Sequence, residues 1–131
     1  MQLHLSEYSW ASPRRPREGL RVSCTRYLPR GVRKVDYARE NYLDVWLPAL
    51  GPSRELLSWV RKNSLEDQKR WSEFVRRYRS EMAKTDPRQT IQMIALLARH
   101  TPISVGCACN GLRCHRFELV KLIRSADAGT F

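Results

Sequence analysis

The sequence predicts a single three-layer α/β domain: a small, mostly parallel sheet of three or four strands flanked by helices. Three observations lead there. Two short apolar runs, Leu20 to Thr25 and Ile103 to Cys107, are too short for helices and suit covered strands. The second run lies between two helical stretches, and that helix, strand, loop, helix order adds a parallel strand to a sheet. Finally, 131 residues with 42% hydrophobic content and four tryptophans match one hydrophobic core, so residues 1–131 are expected to form one domain.

Along the chain, Leu3 to Trp10 alternates apolar and polar residues and runs into Ser12, Pro13 and Pro16, the pattern of a strand entering a loop. Leu20 to Thr25 is the next strand, and Leu28 to Gly31 is a rigid turn through Pro29. Val35 to Trp46 reads either as a short helix or as a strand at Asp44 to Leu47. Pro48, Gly51 and Pro52 break the chain, and Ser53 is placed to cap a helix that runs to Lys62. Ser64 and Asp67 approximate a capping box for the following helix. On it, Trp71, Phe74, Val75, Tyr78 and Met82 share one face, while Glu73 sits beside Arg76 and Arg77 on another. A third helix opens at Asp86 with Pro87 in its first turn, buries Ile91, Ile94, Ala95 and Ala98, and stops at Thr101 and Pro102. After the strand Ile103 to Cys107 comes a loop from Ala108 to Arg113 containing Asn110 and Gly111. Phe117, Val120 and Ile123 then repeat at helical spacing. No internal repeat or low-complexity segment is visible.

Charge narrows the choice of partner. The chain carries 24 Lys and Arg against 13 Asp and Glu, a formal +11, and 19 of the basic residues are arginine. Arg14, Arg15, Arg17, Arg21, Arg26, Arg30, Arg33 and Lys34 lie between Ser12 and Lys34 with Glu18 as the one acid. Arginine's planar fork suits phosphates and carboxylates, so an anionic ligand or a nucleic acid is the expected partner, with the basic loop 12–18 as a contact; the bland alternative is a solvated arginine-rich surface. No run approaches the length of a membrane span and the first ten residues lack a secretory apolar block, so no membrane partner and a cytoplasmic location are expected. A homo-oligomer stays open.

The chemistry concentrates at residues 107 to 116. Cys107, Cys109, Cys114, His115 and Arg116 fall where a strand's carboxyl end feeds a helix N-terminus, the place where open α/β sheets bind ligands. Amide groups, the helix dipole, Arg113 and Arg116 would lower a thiol pKa there, so Cys107 and Cys114 are candidate thiolate nucleophiles and Arg26, Arg30, Arg113, His115 and Arg116 candidate anion contacts. Cys107 and Arg113 have the Cys-x5-Arg spacing of cysteine phosphatases, but Cys24 and Arg30 match it too, so spacing alone is weak and small structural thiols are an equal reading. Zinc is disfavoured, because C-x-C-x4-C-H departs from paired C-x2-C spacing and adjacent Cys114 and His115 converge poorly on one ion, so no metal ligand is assigned. A disulfide from Cys114 to Cys107 or Cys109 is disfavoured in a reducing cytosol. Of the thiols, Cys24 is expected in the middle of a covered strand and least reactive. Trp46, Trp59, Trp71, Phe74 and Tyr78 are expected to pack in the core rather than stack on bases. His4 and His100 are expected at the surface, and no cofactor can be named.

Gly19-Leu-Arg-Val, Arg26-Tyr-Leu-Pro-Arg-Gly31, Trp46-Leu-Pro-Ala-Leu-Gly-Pro-Ser53, the Trp71, Phe74 and Tyr78 face, and Cys107-Ala-Cys with Cys114-His-Arg116 together resemble the domain of unknown function 488 family. The resemblance covers about Gly19 to Ile123 and implies a compact α/β domain of uncharacterised function. It also implies a site with the Arg26 to Gly31 turn as one wall and Cys107, Cys114, His115 and Arg116 as the other. The chain departs from the family pattern at Thr25 and Cys109, where an acid is usual; any chemistry such an acid does in relatives is lost here or passed to a thiol. Two functions follow: an arginine- and cysteine-lined anion pocket acting through a thiolate on a phosphate-containing or nucleic-acid ligand, or a non-catalytic nucleic-acid-binding module with structural thiols or a small zinc site.

Overall fold

The computed structural model describes residues 2–109, 111 and 113–131. Asn110, part of the expected loop, lies outside the described residues. The described chain forms a four-stranded parallel sheet with four α-helices. Its strands are β1 (Leu5–Ser9), β2 (Leu20–Ser23), β3 (Val45–Trp46) and β4 (Ile103–Cys107), in the order β1-β4-β2-β3. The two apolar runs are neighbours, with Val22 opposite Val105 and Leu20 opposite Ile103.

Period-two alternation divides the strands between two faces. Leu3, Val22, Ile103 and Val105 point into a hydrophobic cluster built with Leu56 of α1 (Arg54–Lys62), Phe74, Tyr78 and Met82 of α2 (Gln68–Met82), Ile91 and Ile94 of α3 (Thr85–Leu97) and Leu119 and Ile123 of α4 (His115–Asp127). All four helices therefore share one core. The opposite face is covered by irregular chain that follows a 3-10 turn at Lys34–Asp36, the Tyr8 hydroxyl donating to the Tyr42 carbonyl and the Arg21 guanidinium to that of Asn41. Both readings of the ambiguous stretch 35–46 are realised, as this 3-10 turn and the two-residue edge strand β3.

The caps follow side-chain chemistry with one change. Ser53 Oγ accepts from Leu56 N at 3.1 Å and opens α1. Asp67 alone caps α2, accepting from Lys69 N, while Ser64 bonds Glu66 N in a local turn, because three residues still separate it from the helix. Helix α3 begins at Thr85, so Pro87 sits in a first turn whose N–H groups have no helical partner to lose. Close approach dictates glycine at several positions, among them Gly106 and Gly19. A Cβ on Gly106 would lie 2.4 Å from the Tyr8 ring, and on Gly19, which has φ +79°, 2.1 Å from the Pro102 carbonyl oxygen.

Arg21 organises the second face and is fully buried. Its guanidinium donates to Glu18 through Nε at 2.6 Å and a second nitrogen at 3.0 Å, to the carbonyls of Asn41 at 2.7 Å and Pro13 at 3.1 Å, and lies 4.4 Å from the Tyr8 ring centroid. Arg14 pairs with Asp44 at 2.9 Å, and Arg15 with Glu18 at 2.9 Å. Much of the basic segment expected to face a ligand thus fastens loop 12–18 to the sheet.

Candidate functional site: a cysteine and histidine cluster at the sheet's carboxyl rim

In a parallel sheet every strand ends on the same rim, and the site forms where β4 ends there. Cys107 closes β4 on the helical face, two positions after Val105. Cys114 is the N-cap of α4 with extended backbone (φ −140°, ψ 147°), and His115 is the first residue of that helix. The abrupt change from extended to helical backbone lets adjacent side chains turn toward one point: Cys114 Sγ and His115 Nδ1 are 3.7 Å apart. The ligand atoms of Cys107, Cys114 and His115 all lie within 4.8 Å of one another, so adjacency does not keep Cys114 and His115 from a common centre. All four cysteines are free thiols.

Exposure separates them. Cys24, Cys107 and Cys114 are 0, 1 and 3% exposed, whereas Cys109 faces solvent. Cys24 lies just past the end of β2 rather than within it, its N–H and thiol both bonded to the Gly106 carbonyl. The exposed cysteine of the cluster is Cys109, which the sequence reading did not assign as a nucleophile, while the two candidate nucleophiles Cys107 and Cys114 are buried. The neighbouring thiols of Cys107 and then Cys114 pull the Cys109 thiol below its ordinary range, with a smaller contribution from Arg116. The neighbouring thiols of Cys107 and then Cys109, followed by burial, push Cys114 up, and burial pushes Cys24 up.

His115 is held on three sides. Its ring meets the edge of Tyr78 at 5.4 Å, the inner end of the α2 stripe in which Trp71, Phe74 and Tyr78 stack in series. The Tyr78 hydroxyl donates to the Leu50 carbonyl at 2.8 Å. His115 Nε2 lies 2.7 Å from the Cys24 carbonyl oxygen. A carbonyl only accepts, so Nε2 carries the proton. Burial lowers the imidazole pKa, which leaves Nδ1 as a lone pair facing the Cys114 sulfur.

Arg116 is buried beside the thiols. It donates to Glu7 at 2.7 Å, to Cys107 Sγ at 3.3 Å and, closely, to the Cys109 carbonyl. Glu7 also escaped the sequence reading, although Leu3, Leu5 and Glu7 alternate onto one face and an acid in that series is the signal that could have found it. The other expected anion contacts do not gather here. Arg26 donates to the Gly51 and Pro52 carbonyls, and Arg113 to the Leu65 and Glu66 carbonyls and to Gln68. Arg30 is exposed. The helices of the described residues include none long and apolar enough to cross a membrane.

No curated protein and no solved structure matches the chain. Residues 5–127, nearly the whole sequence and all of the cluster just described, match the family model described as "Active DUF488-N3 subclade", and the chain belongs to that family.

Proposed function

We propose that this chain works through a soft-metal centre, a zinc-class ion held by Cys107, Cys114 and His115, with the solvent-facing Cys109 thiol in the fourth position. The observation that carries the reading is the setting of His115. Metal-bound histidines commonly donate the second ring N–H to a backbone carbonyl, which fixes the tautomer and aims the lone pair at the ion; here that carbonyl belongs to Cys24 and the lone pair faces the buried Cys114 sulfur, with Cys107 in the same cluster. Zinc–sulfur and zinc–nitrogen bonds of about 2.3 and 2.05 Å place the ligand atoms of a tetrahedral ion roughly 3.6–3.8 Å apart. The Cys114 to His115 separation of 3.7 Å already fits, and the remaining sulfur needs to close by about 1 Å at most. Thiolate and imidazole ligands favour zinc over magnesium or calcium. Arg116 then balances the negative charge that ligating sulfurs bring. The fourth ligand is the exposed one, so a substrate group can replace it, as at zinc sites that keep an exchangeable position.

Cobalt(II) titration of the chelator-treated full chain tests this. One equivalent is expected to give sulfur-to-cobalt charge-transfer absorbance and the visible bands of a tetrahedral ion, both bleached by zinc. Cys107→Ser, Cys114→Ser and His115→Ala are each expected to weaken binding at least about tenfold, and Cys109→Ser less. Absent bands, or identical titrations in all variants, overturn the metal centre. If rapid alkylation of Cys109 accompanies that failure, a metal-free thiolate becomes the working group.

A further inference from the structure

Trp46 departs from the core packing expected of it. It lies on the sheet's edge strand, 36% exposed, with its indole N–H bonded to the Thr25 carbonyl at 2.8 Å, so the ring is fixed in orientation while part of it stays open to solvent. Two clefts meet at this ring. One of about 440 Å³ runs between Trp46, Tyr37, Val35 and Lys34, and the other, of about 370 Å³, between Trp46, Arg26 and Arg54. Tyr27, 47% exposed, lies beside the second, with the Arg54 guanidinium 5.9 Å from its ring.

The charge of this surface is one-sided. Asp36 is paired with Arg33 and Arg39, and Asp44 with Arg14. Among the described residues Arg30, Lys34 and Arg54 carry no carboxylate partner, and Glu55 is the one acid of the two clefts outside an ion pair. An anchored indole between two recesses, with unpaired cations on both sides, matches the requirements of an unpaired nucleobase strand: a π-face for each base and cations for the phosphates that flank it. A duplex hides its base faces, and a purely apolar partner has no use for the cations.

We propose that Trp46 is the stacking platform of a groove for single-stranded nucleic acid, one base seated against the indole and the neighbouring phosphates met by Lys34 on one side and Arg54 on the other. This surface is separate from loop 12–18, where Arg14 and Arg15 are already engaged, and the proposal stands independently of the metal centre.

Fluorescence anisotropy of labelled 12-nucleotide oligo-dT and oligo-rU with the full chain tests it, the two probes separating DNA from RNA. At low salt at least one strand is expected to bind, with affinity falling steeply as salt is added. Trp46→Ala is expected to lower affinity by about 5- to 150-fold, the range that one base–aromatic stack supplies, and Trp46→Phe to restore most of it. Lys34→Gln and Arg54→Gln are each expected to reduce the logarithmic salt slope by about 0.7. Trp59→Phe, on the far side of the sequence break at Gly51, is expected to leave binding unchanged. Circular dichroism confirms that each variant is folded. The proposal is overturned by equal affinity in Trp46→Ala and Trp46→Phe, by duplex DNA binding as tightly as single strands, by full competition from a mononucleotide at the oligonucleotide's own concentration, or by no binding at low salt.

Discussion

On the helical side of the sheet, Val22, Ile103 and Val105 meet aliphatic and aromatic side chains from four helices; on the other side, Arg21 meets Glu18, the backbone carbonyls of Asn41 and Pro13 and the Tyr8 ring. The first contact set is non-directional and grows with buried area. The second is directional. Each donor of Arg21 points at a named acceptor, and a buried charge pair contributes little net stability over a hydrophobic replacement while costing much when only one partner is removed. One face of this sheet can therefore drift through volume-conserving substitutions, whereas the other changes only in concert.

The largest effect is expected from Arg21→Met, which strands Glu18 without its main partner: about 3–5 kcal/mol lost in denaturant unfolding. Adding Glu18→Leu should recover most of that loss, and a double variant no better than the single one would show that the two faces do not differ in this way. Leu119→Ala on the helical face is expected to cost about 3 kcal/mol, with no second-site partner able to restore it by charge. The pH dependence is smaller. Burial alone would raise the Glu18 pKa, but hydrogen bonds from Arg21 and Arg15 outweigh it and hold the carboxyl below its ordinary 4.5. A depressed folded pKa gives stability that is present above about 4.5 and disappears as pH falls through the folded value, so unfolding free energy measured between pH 6 and 3 should drop more in the wild-type chain than in Arg21→Met. Arg14→Ala, which breaks a partly exposed pair with Asp44, is expected to cost about 1 kcal/mol or less, read as a small fall in melting temperature.

The asymmetry also explains what could be read in advance. The helical face was legible because apolar periodicity is a one-dimensional pattern: Phe74, Tyr78 and Met82 announce their burial by spacing alone, and Val22 and Val105 fall in apolar runs. The neighbouring placement of β2 and β4 followed from those runs, and the position of Cys107, Cys114, His115 and Arg116 at a strand-to-helix junction followed from the order of elements. The polar face was not legible, since an arginine in a basic run looks the same whether it faces solvent or, like Arg21, is fully enclosed. Within the candidate site, residue types were readable but not access to solvent: Cys109 and Cys114 differ in exposure because one is in a loop and the other caps a helix, a difference of backbone conformation that a list of thiols does not contain. Trp46 was misjudged for a related reason. Flanking breaks mark equally well a core residue and the edge of a sheet.

The strand order β1-β4-β2-β3 sets a schedule for the growing polypeptide. The partner of β1 is β4, whose first residue is Ile103, so a nascent chain holds β1 unpaired until synthesis has passed residue 103. The strand inserted last is also the one that carries Cys107, so the cluster at the rim cannot assemble on an incomplete polypeptide: closing the sheet and building the site are a single late event, and a message truncated before residue 103 yields a product that lacks both.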